Sequence, residues 1–143
     1  MACSASSATM GNDELDVSIT EAIIQAHSMY DELYNTRQLE KVVDCIYAED
    51  CCVMMEGRDV IRGRKALLEL LCGFSKDPSH HRVESTAMEI REITAPGQRI
   101  YELGRYSFFD IPNTGRADGR HVIVWTRIGG KYLITLQSIN PIT

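Results

Sequence analysis

The stretch Arg120-His121-Val122-Ile123-Val124-Trp125-Thr126-Arg127-Ile128-Gly129-Gly130-Lys131-Tyr132-Leu133-Ile134-Thr135-Leu136-Gln137-Ser138-Ile139 decides the fold. β-branched and aromatic residues crowd two runs, 120–128 and 131–139. The glycine pair between them is the chemistry of a tight hairpin turn, so the runs read as antiparallel neighbours. Ile123 and Trp125 point to one face and Val122 and Val124 to the other, which leaves both faces apolar. A sheet with one face in water does not need this. The second face is expected to be covered by another subunit or another layer.

The two-residue period extends upstream through runs near 81–93 and 99–109, where Tyr106 and Phe108 alternate with Leu103 and Phe109. Thr94-Ala95-Pro96-Gly97-Gln98 joins these runs, and Asp110-Ile111-Pro112-Asn113-Thr114-Gly115 opens a longer loop before the third. Before residue 78 the period is helical. Ser18-Ile19-Thr20-Glu21 is a capping box at the head of a first helix, whose stripe is Ile19, Ile23, Ala26, Tyr30 and Leu33, flanked by His27 and Tyr34. A second helix runs through Leu39, Val42, Val43, Ile46 and Tyr47. Gly63 releases a third, from Arg64 to about Phe74, whose Leu67, Leu70, Leu71 and Phe74 face inward and which Gly73 and Ser75-Lys76-Asp77-Pro78 end. Cys51-Cys52-Val53-Met54-Met55, a turn at Glu56-Gly57-Arg58-Asp59, and Val60-Ile61 read as a small hairpin or bent strand between the second and third helices.

The predicted fold class is therefore α+β: three N-terminal helices packed in a strongly curved antiparallel sheet. It forms one domain over residues 17–143, and the small, polar residues 1–16 are expected to be a disordered tail. A chain of 143 residues suits a single core. No apolar run approaches the ~18 residues of a membrane span. A formal charge of −5 gives no general attraction for nucleic acid. The small basic group Arg58, Arg62, Arg64 and Lys65 reads as a solvated helix entrance. Five cysteines with no Cys-x-x-Cys pair read as free thiols. With no basic region or apolar core at the N-terminus, they suggest a cytoplasmic setting.

Several short pieces, in order and spacing, resemble the nuclear transport factor 2-like superfamily, in its SnoaL-like, mostly uncharacterised branch. They are Tyr47-Ala48-Glu49-Asp50, Ile61-Arg62-Gly63-Arg64-Lys65-Ala66, Gly104-Arg105-Tyr106, Val124-Trp125-Thr126-Arg127 and Gly130-Lys131-Tyr132, within roughly residues 18–140. The chain departs from the pattern at Gln38, where an acidic residue is usual, and at Tyr132, where tryptophan is usual. The resemblance implies a conical pocket between sheet and helices and a homodimer through the sheet face. The functions it implies range from isomerases, cyclases and dehydratases to binding and assembly modules.

Tyr30 and Tyr34, four apart on one helix, suit a pocket rim where a phenol orients a ligand oxygen, and equally suit plain packing. Met54, Tyr106, Ile123 and Trp125 complete the expected ligand-binding lining, with Trp125 open to an interface role as well. His121 shares the parity of Trp125 and is the candidate acid or base, against a reading as a partly exposed strand-end residue. Asp50, beside Glu49, is the second candidate, against a reading as a turn carboxylate. His80 and His81 diverge on an extended chain, as do Cys51 and Cys52, so no metal site and no cofactor are expected. The leading expectation is a homodimeric domain binding a small apolar ligand in its cone. The alternatives are an isomerase-, cyclase- or dehydratase-type enzyme using the same pocket, and an assembly module.

Overall fold

The computed structural model describes residues 17–94 and 97–142. The proposed tail, residues 1–16, and Ala95-Pro96 of the expected turn lie outside the described residues. Helix α1 spans Val17–Asn35, and its buried stripe Ile19, Ile23, Leu33 and Tyr34 also carries His27. Ser18, read as the start of the first helix, lies one residue inside it. Arg37 takes a left-handed φ of 63°, and the Gln38 N–H donates to the Leu33 carbonyl at 2.8 Å, which closes α1 and turns the chain into α2, Leu39–Ile46.

Strand β1, Tyr47–Met55, follows α2 without a loop, so Tyr47 opens a strand and does not close the helix as its spacing suggested. The hairpin partner β2 is Ile61–Arg62, and α3 is Gly63–Lys76. Arg64 at the start of α3 donates to the Tyr47 carbonyl at 2.7 Å and 3.1 Å, fastening α3 to β1. A short 3-10 turn, Pro78–His80, leads into β3, Arg82–Thr94, then β4, Arg99–Ile111, β5, Gly115–Ile128, and β6, Lys131–Pro141. Gly129 and Gly130 both take positive φ between the paired Ile128 and Lys131, as a two-residue hairpin requires. The loop from β4 to β5 is tighter than expected, since Ile111 already pairs with Gly115.

The strand order is β2-β1-β6-β5-β4-β3. Neighbours are antiparallel except β1 and β6, which run parallel, so the sheet is mixed where the sequence suggested an antiparallel one throughout. The reason lies in connectivity: β1 reaches its neighbour β6 only after α3 and four further strands, and no hairpin joins them. The three helices pack against this curled sheet. Ile100, Ile123, Trp125 and Ile134 from the sheet meet Ile19, Ile23, Val42, Val43 and Leu67 from the helices in one core. The opposite face leaves Met88, Leu103 and Val122 exposed. Cys51, Cys52 and Cys72 are free thiols. Among the described residues, no helix is long and apolar enough to cross a membrane.

Candidate functional site

Helix α1 lies along the concave side of the sheet, and a cavity of about 160 Å³ remains between them. Its wall is mostly apolar. Val53 and Met55 come from β1, Leu67, Leu71 and Phe74 from α3, Phe108 from β4, Ile123 and Trp125 from β5, and Ile134 and Ile139 from β6. Besides Glu56 and His80, polar groups enter from a tyrosine cluster and from a histidine–glutamate cluster whose His27 and His121 reach the wall.

Tyr30 and Tyr34 project from adjacent turns of α1, with ring planes 5° apart and centroids 6.1 Å apart. The Tyr34 hydroxyl donates to the His80 carbonyl at 2.7 Å, and burial pushes its phenol up to about 12. Tyr47 donates to Gln137 Oε1 at 2.5 Å, and its ring stands 6.4 Å from that of Tyr30. Burial raises both phenols well above the ordinary tyrosine value, so they stay protonated.

The second cluster is built around Glu102, which is fully buried in the first half of β4. Its Oε1 accepts from Trp125 Nε1 at 2.8 Å, and its Oε2 lies 2.7 Å from His27 Nε2 and 2.5 Å from His121 Nε2. Burial alone would raise this carboxyl, but the hydrogen bonds from His121 and His27 outweigh it and hold it at about 2, so Glu102 is a buried anion. On its far side, His27 Nδ1 lies 2.8 Å from Ser85 Oγ, and Ser85 in turn donates to Asp31 Oδ1 at 2.7 Å. The one hydroxyl proton of Ser85 is thereby used, so His27 Nδ1 is the donor in its bond to Ser85.

Two glycines seat the cavity's rings. Tyr106 on β4 pairs with Gly119 on β5, and His121 on β5 pairs with Gly104 on β4. A Cβ on Gly119 would strike the Tyr106 ring, and one on Gly104 would strike His121 and the Thr86 carbonyl. Each ring therefore lies across the strand beside its own, over a residue without a side chain.

Of the residues singled out from sequence, Tyr30, Tyr34, Tyr106, Ile123 and Trp125 line the cavity, and His121 lines it at 3% exposure. Met54 does not. It is 39% exposed on the outer parity of β1, and Met55 takes the inward place. Asp50 is also absent from the lining and exposed, because Cys51 and Val53 occupy the buried parity of that strand. Sequence reasoning passed over Glu102, Ser85 and any role for His27 beyond flanking a stripe. The available signal was parity: Glu102 stands on the same side of β4 as Ile100, Tyr106 and Phe108.

A curled sheet around three helices with a hollow between them is the nuclear transport factor 2-like cone, and the chain has that fold. Three solved structures illustrate the likeness. An NTF-2-like protein of unknown function from Shewanella oneidensis is 18% identical with a TM-score of 0.68, over 84% of this chain and 97% of that one. A ketosteroid isomerase-like protein from Erwinia carotovora is 15% identical with a TM-score of 0.64, over 86% and 95% of the two chains. A putative scytalone dehydratase from Novosphingobium aromaticivorans is 12% identical with a TM-score of 0.67, over 87% and 84%. No protein-family model matches the sequence, and no curated protein matches it.

Proposed function

We propose that the chain binds a small, largely apolar molecule carrying one oxygen function inside its cone. The observation that carries this is the cavity of about 160 Å³, apolar on most of its wall and polar at the tyrosine and histidine clusters. An engineered apolar cavity of roughly 150 Å³ in another protein takes up benzene, which sets the ligand's scale at about one ring. Tyr30 and Trp125 stand on the same cavity, so the ring would rest against the indole with its oxygen toward the phenol. An unfilled cone also speaks against a module acting only through its surface. The test is a panel of single-ring phenols, ketones and hydrocarbons, read by melting temperature and by the emission of Trp125, the sole tryptophan. A rise in melting temperature with an emission shift supports the reading. A panel that moves neither overturns it.

A second reading is favoured by one observation: both imidazoles that contact Glu102 also line the cavity. Titratable groups at the wall of an apolar pocket suit proton transfer, of the isomerase or dehydratase kind that the names of two of the similar structures carry. In it His121 is the base and the Tyr30 phenol stabilises the developing oxyanion. Exchange of α-protons of small cyclic ketones in D₂O, followed by proton NMR, tests it. A rate equal to that of buffer removes it.

We also propose that two copies of the chain associate through the outer sheet face. Met88, Leu103 and Val122, at 64%, 40% and 38% exposure on β3, β4 and β5, support this, with Leu103 and Val122 directly paired across the strands.

A further inference from the structure

We propose that His27, Glu102 and His121 form a binding site for one first-row divalent transition metal ion, a role beyond ligand binding and not dependent on it. Two imidazole nitrogens and one carboxylate oxygen converge there, all within 4.8 Å of one another and all from buried residues. Ligand atoms around such an ion lie about 2.0–2.2 Å from it. That places them roughly 3.0–3.4 Å apart by the geometry of tetrahedral or octahedral sites. The present separations of 2.7 Å and 2.5 Å need to open by roughly 0.3–0.9 Å to reach that spacing.

The hydrogen bonds point the same way. His27 Nδ1 donates to Ser85, because the Ser85 proton goes to Asp31. The other nitrogen of that ring, Nε2, faces an anionic carboxylate. A neutral ring would there turn a lone pair on a negative oxygen, so a cation must stand between them, either a second proton or a metal ion. The surroundings suit the metal. Ligating histidines characteristically have their outer nitrogen fixed by a hydrogen bond, as Ser85 and Asp31 fix His27, and ligating carboxylates have their free oxygen fixed, as Trp125 fixes Glu102. Two histidines and one carboxylate favour ions such as Zn²⁺, Fe²⁺ or Co²⁺ over Mg²⁺ or Ca²⁺. The remaining positions would be filled from the cavity both imidazoles line. The sequence reading expected no metal, since it weighed neighbours along the chain, His80 with His81 and the cysteines, and not residues as far apart as His27, Glu102 and His121. An ion at this place would take the lone pairs that proton transfer needs, so metal content also separates this site from the enzymatic reading above.

The test uses the full chain without an affinity tag, stripped with chelator and titrated with Zn²⁺ and Co²⁺. We expect one equivalent bound, a visible Co²⁺ absorption, and quenching of Trp125 by Co²⁺. His27→Gln and His121→Gln should each weaken binding at least 100-fold, Ser85→Ala should weaken it about 10- to 100-fold, and His81→Gln should leave it unchanged. Ser85→Ala keeps all three ligands, so it guards against a variant that fails to fold. Substoichiometric uptake, binding that survives His121→Gln, or Co²⁺ binding without quenching would each show that only protons occupy the cluster. Binding of ring compounds by the chelated chain is measured separately, so failure of one reading leaves the other standing.

Discussion

Gly104 faces His121 across the β4–β5 pair, and a Cβ there would run into both the imidazole and the Thr86 carbonyl. The ring that contacts Glu102 is thus positioned by a missing side chain. Gly104→Ala should cost about 3 kcal/mol, at the upper end of overpacking effects, because a backbone carbonyl cannot step aside. Gly119→Ala meets only the Tyr106 ring, which can turn, and should cost about 1 kcal/mol while altering the cavity wall. Urea unfolding followed by circular dichroism ranks the two. The reverse order would mean that the β3–β4 backbone yields more easily than a ring.

Trp125 and Glu102 should behave as one unit. Trp125→Phe keeps most of the apolar ring but removes a donor from a buried carboxylate, which leaves that oxygen short of a partner at a cost of about 1–3 kcal/mol. Glu102→Gln alone also destabilises, since its amide cannot accept from all the donors aimed at it. The double variant should lose less than the sum of the two. Strict additivity in the thermodynamic cycle would show that the bond between them contributes nothing.

The architecture was legible because its signals are local. The three helical stripes, the change to a period of two, and the glycine pair before Lys131 each sit within one or two turns of chain, and each element formed within a few residues of its expected place. The parallel pairing of β1 with β6 was not legible, since no turn joins the two strands. Half the site could be read for a related reason. Tyr30, Tyr34, Ile123 and Trp125 lie on apolar stripes whose inward direction the periodicity gives. Met54 and Asp50 were placed by type alone, and the buried parity of β1 sends both outward. The Glu102 cluster draws on α1, β3, β4 and β5, with up to 75 residues between hydrogen-bonded partners, and its closing polar residue looks from sequence like an ordinary strand glutamate.

The tyrosine cluster separates stability from binding. Tyr47→Phe removes the donor to Gln137 Oε1, in a place where no water need reach, and should lower stability by about 1–2 kcal/mol. Tyr30 lines the cavity and makes no such bond to Gln137, so Tyr30→Phe acts on the cavity wall. It should leave the melting temperature nearly unchanged but weaken single-ring phenols and ketones about tenfold, while hydrocarbons of the same shape bind as before. Calorimetric titration of matched compounds reads the difference. Equal losses for polar and apolar rings would show that Tyr30 only fills space.

The exposed pair Leu103 and Val122 carries the last expectation. These residues are directly opposed on the outer face of β4 and β5, and Met88 stands exposed on β3, the strand beyond Leu103. Leaving such a patch in water forfeits roughly 25 cal/mol for each Å² that a second copy would cover. Light scattering on the full chain at micromolar concentration should therefore give twice the monomer mass, and Leu103→Glu combined with Val122→Glu should halve it. The sheet itself should tolerate both changes, because neither side chain enters the core and the cavity lies on the other face. Unaltered circular dichroism with a halved mass would locate the interface on β4 and β5. A wild-type chain that stays monomeric at a hundred micromolar would leave the outer apolar residues as an ordinary solvated surface.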